Sequence, residues 1–470
     1  MVIHVFKCEL TRYVRSGQAL AFVFSVVLML CAALFLSVRE YRVMEASYQE
    51  NLLQSRLNWE SQATKDPHDA AHDGTYVIKP SHPLAVIDRG VQKYAGQVIH
   101  LRAHERQQSS LSQVKDQTGI YRFGVLTPSF VLLYIFPLLI IFLGYGTFAK
   151  EKEMQTLRLI KSQGVSMRHI TAGKWLALMA QVALLFVAFL GTMAITLNLM
   201  SNEVAVGLLE WMSVGTIYML YFMLFANVVV LVSILAKSSG ASLVLSLSLW
   251  ILVALIAPKL STNIAGHVYP FPTYQTFREN IFRDQQNGLN GHNFWNEAAQ
   301  DFQQKVLQEY GVDTIEELPV DYGGLLLAEG EKYESEIYTK HFDLLREQYQ
   351  NQRAIYRLSS ALSPFLSVRF VSMALARTDY GFQWHLEDQA EKYRVYFNTE
   401  LNMNIAENAK GVEGYKAGKD LWGTIQRFQY EWQPTSEILS DHFVEYAIIL
   451  GWVILSGLLM FSLSSNVEVV

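Results

Sequence analysis

Phe148-Ala-Lys-Glu-Lys-Glu-Met-Gln-Thr-Leu-Arg-Leu-Ile-Lys-Ser-Gln-Gly164 is a charged, amphipathic run set between two apolar ones. Residues 132–148 before it and 175–197 after it carry no charged side chain. A soluble loop has no use for Met154, Leu157 and Ile160 at helical spacing. A membrane span does not carry Lys150, Glu151, Lys152, Glu153, Arg158 and Lys161. The pattern predicts a short helix over 150–164 at a membrane surface. Its apolar ridge is offered to a soluble partner.

Outward from this run the chain divides into blocks. Of its 470 residues, 51% are hydrophobic and 17% charged. Six apolar stretches are long enough to cross about 30 Å of hydrocarbon as helices: 18–38, 127–148, 175–197, 211–236, 240–257 and 443–463. The polar mass gathers into residues 39–126 and 258–442. The fold class is therefore an α-helical polytopic membrane protein. Its six transmembrane helices carry two mainly helical extracytoplasmic domains. The first apolar stretch is read as a retained span, because its core exceeds the usual length in a cleaved signal.

Lysine and arginine orient the spans. Residues 1–17 hold Lys7, Arg12 and Arg15, and residues 149–174 hold Lys150, Lys152, Arg158, Lys161, Arg168 and Lys174. Lys237 follows the fourth span, whereas the 198–210 loop has no Lys or Arg. Alternating spans then place both termini, the 149–174 segment and the 237–239 turn in the cytoplasm. Both polar blocks lie outside.

Composition narrows the chemistry. The two cysteines, Cys8 and Cys31, lie outside the polar blocks, so no disulfide framework supports those blocks. Block 258–442 has 17 Lys and Arg against 26 Asp and Glu, which argues against a nucleic-acid partner. His68 and His72 lie four apart with Asp66, Asp69 and Asp73 nearby. Pro67 and Gly74 make that stretch turn-rich, and the reading is a solvated polar loop with no metal. No Gly-x-x-x-x-Gly-Lys-Ser/Thr run, Gly-x-Ser-x-Gly elbow or His-Glu-x-x-His pair occurs. The expectation is a chain without catalytic residues or a cofactor of its own. No charged residue sits mid-span, so the driving force comes from elsewhere.

Local patterns predict helices over 3–16, 41–59, 85–115, 296–310, 325–359 and 382–408. Within the bundle, Pro137 predicts a kink or hinge in the second span. Asn227, deep in the fourth, either bonds a neighbouring helix or lines a pathway.

Residues 148–166, followed by Ile170-Thr-Ala-Gly-Lys-Trp-Leu176, resemble the cytoplasmic loop of ABC-2-type transporter permeases. There a charged run leads into Gly-Thr-Leu, a short helix, Gly-Val-Ser and a Gly-Lys at the next span. Glu151, Glu153, Thr156, Leu157, Gly164, Ser166, Gly173 and Lys174 fall on that pattern, and Gln155 replaces the usual Gly. Leu362-Ser-Pro364, Ala374-Leu-Ala-Arg-Thr-Asp379 and Glu391-Lys-Tyr-Arg394 resemble the subgroup with a large extracytoplasmic domain. Arg377 stands where that subgroup tends to have Gly.

The resemblance implies a permease in the bacterial cytoplasmic (inner) membrane. It is paired with a second copy or a paralogous permease and bound to ABC ATPase subunits. ATP and Mg belong to the ATPase. The implied coupling residues are Glu151, Glu153, Met154, Thr156, Leu157, Ile160 and Gly164. Membrane lipid surrounds the bundle, and the work is export or membrane extraction of a substrate. The alternative is a signal or force transmitter acting on an extracytoplasmic protein without transport.

Overall fold

The computed structural model describes residues 1–110, 125–200, 204–286, 288, 289, 292 and 295–465. Among the described residues, six helices are long and apolar enough to span a membrane: Gly17–Glu60, Pro128–Glu153, Met167–Asn198, Leu208–Leu235, Ser239–Val268 and Phe443–Ser465. An amphipathic helix, Val2–Arg15, precedes them. The chain is an α-helical polytopic membrane protein, and the fourth span is the most enclosed of the six.

The first span is one helix with the stretch predicted at 41–59. No Gly or Pro interrupts residues 18–60, so nothing stops it at a membrane surface. Ser16 starts it, its hydroxyl accepting from the Ala19 N–H at 3.3 Å. At 1.5 Å per residue, 44 residues reach about 66 Å, roughly twice the hydrocarbon thickness. The far end is fastened by Trp59 Nε1 donating to the Trp422 carbonyl at 3.0 Å and Arg56 donating to the Ile425 carbonyl at 2.8 Å. Trp59, Phe397, Leu401 and Trp422 share one buried cluster there.

The first polar block departs from the sequence reading in two places. The helix predicted over 85–115 is absent from its described part, and 111–115 lie outside the described residues. Pro83–Val86 is a single 3-10 turn. Strand β1 (Thr75–Ile78) pairs antiparallel with β2 (Val98–Leu101), Thr75 opposite Leu101 and Ile78 opposite Val98. Gly90 at φ +45° and Gly96, whose absent Cβ would lie 2.3 Å from the Ser109 backbone, are the breaks that periodicity alone did not weigh. Conversely, the turn-rich stretch with His68 and His72 contains a helix, Pro67–Asp73. Asp66 caps it by accepting from the His68 N–H at 2.7 Å, and Pro67 fits the first turn.

The second polar block is helical over Glu297–Tyr310, Tyr322–Ser360 and Tyr380–Asn408, close to the predicted stretches. Between the last two lies Pro364–Leu375, and it does not stay with the polar mass. Phe365, Leu366, Val368, Val371, Ala374 and Leu375 are buried in the same core as the spans. Nine of its twelve residues are apolar, which leaves little face for water, so it inserts into the bundle. Two of its polar side chains are matched: Ser372 donates to Asp88 at 2.6 Å, Arg369 pairs with Asp88 at 3.0 Å, and Ser372 meets the Tyr218 hydroxyl at 2.7 Å. These contacts join the first block, the inserted helix and the fourth span.

Arg377 ends this helix in the left-handed conformation, φ 55°. That is why a glycine suits the position, and it costs an L-residue roughly 1–2 kcal/mol. The offset is visible: the buried guanidinium reaches Glu210 at 3.3 Å and the Gln433 carbonyl at 3.1 Å. A glycine could not make these bonds.

Pro137 follows a π-turn over Val131–Ile135 and sits in the first turn of the restarted helix Phe136–Gly144. The wide turn removes the clash that proline brings to a helix interior. The fifth span repeats the device, with a π-turn over Leu252–Ile256 and Pro258 behind it. Asn227 Nδ2 donates to the Val453 carbonyl and to Ser456 Oγ, each at 3.0 Å. Those contacts favour helix–helix bonding over a pathway role. Asn227→Leu should therefore lower the thermal midpoint of the purified chain by the equivalent of about 1 kcal/mol. Activity per assembled complex should be retained. Loss of activity at unchanged stability would instead restore the pathway role.

Candidate coupling surface

The segment 149–164 is two short helices, Ala149–Glu153 and Thr156–Ser162, where the sequence reading had one. Gln155 separates them at φ 58°, ψ 11°. This is the residue standing in place of the usual glycine, and the left-handed turn explains the preference for glycine. Gly164 closes the second helix at φ +75° with open space around it, so its role is conformational. Gln155→Gly should leave stability unchanged or raise it by up to about 1 kcal/mol, and Gln155→Ile should lower it by roughly 1–2 kcal/mol. Amide hydrogen exchange over 154–162 measures both; slower exchange in the Ile variant would contradict the assigned turn.

The break changes which apolar groups face outward. Leu157 is 1% exposed and packs into the bundle core, and Ile160 lies partly buried against it. The expected ridge of Met154, Leu157 and Ile160 is therefore corrected: only Met154, 62% exposed, is available. Leu159, 66% exposed, joins it. A continuous 3.6-residue period carried through Gln155 puts the second helix out of phase, which is why Leu159 was missed. Glu153, Gln155, Arg158 and Lys161 on the same segment are exposed as well.

Behind this surface the segment is anchored to four parts of the chain. Lys174, 2% exposed, pairs with Glu151 at 2.6 Å and with Glu9 of the N-terminal helix. Phe148 places its ring 5.6 Å from the same ammonium. Ser233, in the last turn of the fourth span, accepts from the Phe148 and Ala149 N–H groups at 2.9 and 3.0 Å. Glu153 accepts from the Ser239 N–H and hydroxyl, which caps the start of the fifth span. Thr156 opens the second helix and donates to the Glu151 carbonyl at 3.3 Å.

The Gly-Lys pair of the motif now has a physical reason. A Cβ on Gly173 would lie 2.6 Å from Val5 Cβ, so glycine lets the N-terminal helix press against the third span. Lys174 then reaches the two carboxylates. Glu9, Ser233 and Ser239 carry no periodic or motif signal, and only the folded chain brings them here.

Residues able to hold a metal lie in the polar domain. His68, His72, His104 and His292 each place one ring nitrogen within 4.8 Å of the others. Burial lowers the His68 pKa to about 4, which keeps that ring neutral. The spacing of His68 and His72 was legible in the sequence; the arrival of His104 and His292 was not.

Residues 3–310 match the family described as ABC-2 family transporter protein, and residues 275–431 match a domain of unknown function (DUF3526). The first match covers more than half of the chain, and the chain belongs to the ABC-2 family of transporter proteins. It is thus a multi-pass transmembrane subunit of an ABC transporter, and membership implies an ABC ATPase as partner. No curated protein matches the chain.

Proposed function

We propose that this chain receives force from a separate ABC ATPase at the surface formed by Met154 and Leu159, and uses it to export a substrate or extract it from the membrane. The observation that carries this reading is an exposed apolar pair on a segment whose opposite side is fastened to the N-terminal helix and the third, fourth and fifth spans. A push at such a point moves several spans together, because packed elements transmit displacement. ATP and Mg2+ are bound by the ATPase, and this chain supplies no catalytic group. The basic segments support a cytoplasmic position for this surface and both termini, and on this reading a second permease copy or paralogue completes the assembly.

A second reading is supported by one feature. The first span continues unbroken to Trp59, and the inserted helix Pro364–Leu375 enters the bundle core. Motion of the spans would thereby reach the polar domain directly, as a signal or force transmitter requires. The test is reconstitution of the chain with its ATPase in vesicles. ATP-dependent movement of a substrate supports transport. ATP-dependent rearrangement of the polar domain, read by a probe pair on residues 53 and 412, without movement of any substrate supports transmission. Absence of both overturns the proposed function.

A further inference from the structure

We propose that His68, His72, His104 and His292 form a binding site for one divalent transition-metal ion, of the Zn2+ type, that fastens the first polar block to the second. The inference is independent of ATPase coupling.

His68 and His72 share a face of the helix Pro67–Asp73, being one turn apart. His104 follows β2, and His292 lies between the helices Tyr274–Gln286 and Glu297–Tyr310. Three Nε2 atoms converge: His68 to His104 at 3.2 Å, His104 to His292 at 2.9 Å, and His68 to His292 at 3.4 Å. The edge of a tetrahedron of nitrogens about 2.0–2.1 Å from Zn2+ is roughly 3.3–3.4 Å. The circle through the three observed atoms has a radius of about 1.8 Å. An ion at bonding distance would then sit roughly 0.9 Å off their plane. His72 is the fourth ligand within reach.

The surrounding groups hold the rings in the sense a metal needs. His68 Nδ1 lies 2.9 Å from Asn402 Oδ1, and His104 Nδ1 lies 2.9 Å from Glu334 Oε2. Both oxygens accept only, so both Nδ1 atoms carry hydrogen. With both Nδ1 atoms turned to these oxygens, the two Nε2 atoms face each other across 3.2 Å, turned toward one shared cation. An imidazole that donates its other N–H to a carboxylate or amide oxygen is the usual arrangement of a metal-bound histidine. Glu331 does not compete as a ligand. It accepts from Arg394 at 2.7 Å, Asn398 at 3.1 Å and the His104 N–H at 2.8 Å.

His104 is also held at φ 61°. Left-handed backbone in a residue other than glycine is costly and concentrates where surroundings fix a functional side chain. Four imidazoles and no thiolate select Zn2+, Cu2+ or Ni2+, and the non-planar convergence favours Zn2+ over the two that prefer square-planar sites. His72 and His292 are exposed, which leaves a route for the ion.

The test uses the untagged full-length chain in detergent, stripped with a chelator and dialysed. Zn2+ is titrated against a chromophoric chelator, and Co2+ is added separately for its visible spectrum. The expected result is one tight equivalent per chain and the intense bands of tetrahedral Co2+. His292→Ala and His72→Ala should each weaken Zn2+ binding by at least about 10-fold, and Glu334→Gln by about 10- to 100-fold. His267→Ala, outside the cluster, should change nothing. At the same free Zn2+ concentration, Zn2+ should raise the thermal midpoint of the wild type more than that of His292→Ala. Octahedral Co2+, or equal Zn2+ uptake by wild type and His292→Ala, would overturn the proposal. His292 sits in a surface turn, so the comparison holds even if a His68→Ala, His104→Ala variant fails to fold.

Discussion

A Met154→Asp, Leu159→Asp double variant should insert and fold as the wild type does and lose its ATPase. Both side chains are exposed, so neither change places a charge in the core. On the proposed function both enter an apolar groove, where a central contact is worth at least about 2 kcal/mol. Losing both weakens association by roughly 30-fold or more for each. The measurement is ATPase retained by the purified complex and ATP hydrolysed per permease. Leu157→Asp is the contrast. Leu157 is enclosed by the chain's own core, so its loss should reduce folded protein before any partner is involved. An unaffected double variant would mean that this face rests in lipid headgroups or solvent, and the coupling assignment would fail.

Lys174→Met should destabilise the chain by about 3–5 kcal/mol, the range for removing one member of a buried ionic cluster. Glu9 and Glu151 would keep their charges in a nearly dry site, with Arg12 at 2.7 Å left to Glu9 alone. The thermal midpoint should fall by several degrees. Adding Glu9→Gln and Glu151→Gln to Lys174→Met should recover part of the loss, because the cost lies mainly in the stranded carboxylates. Independent, additive losses would show that the three groups do not act as one cluster. Since this cluster joins the N-terminal helix to the segment that carries Met154 and Leu159, ATP hydrolysis should also become less sensitive to changes in the polar domain.

The departures from the expected family pattern are informative because they coincide with backbone geometry. Gln155 and Arg377 both stand where glycine is usual, and both have positive φ. One is a turn between two short helices. The other ends the inserted helix and directs a buried guanidinium to Glu210. The same strain in different settings predicts opposite outcomes for glycine: tolerated at 155, and harmful at 377.

Sequence alone determined the six spans, because about twenty successive apolar residues have no other stable place. It also determined the helical character of 296–310, 325–359 and 382–408, whose periodicity is uninterrupted. The family was legible in the charged run and its Gly-Lys, since these are contiguous residues. Tertiary structure decided the rest. It turned Leu157 inward through a left-handed residue, drew Pro364–Leu375 from the polar block into the bundle, and replaced the helix predicted after residue 85 with a paired strand. It also gathered His104 and His292 beside His68 and His72. Periodicity reports which face of one element is apolar; it carries no information about which distant element covers that face, and the candidate coupling surface and the histidine cluster are both made by such meetings.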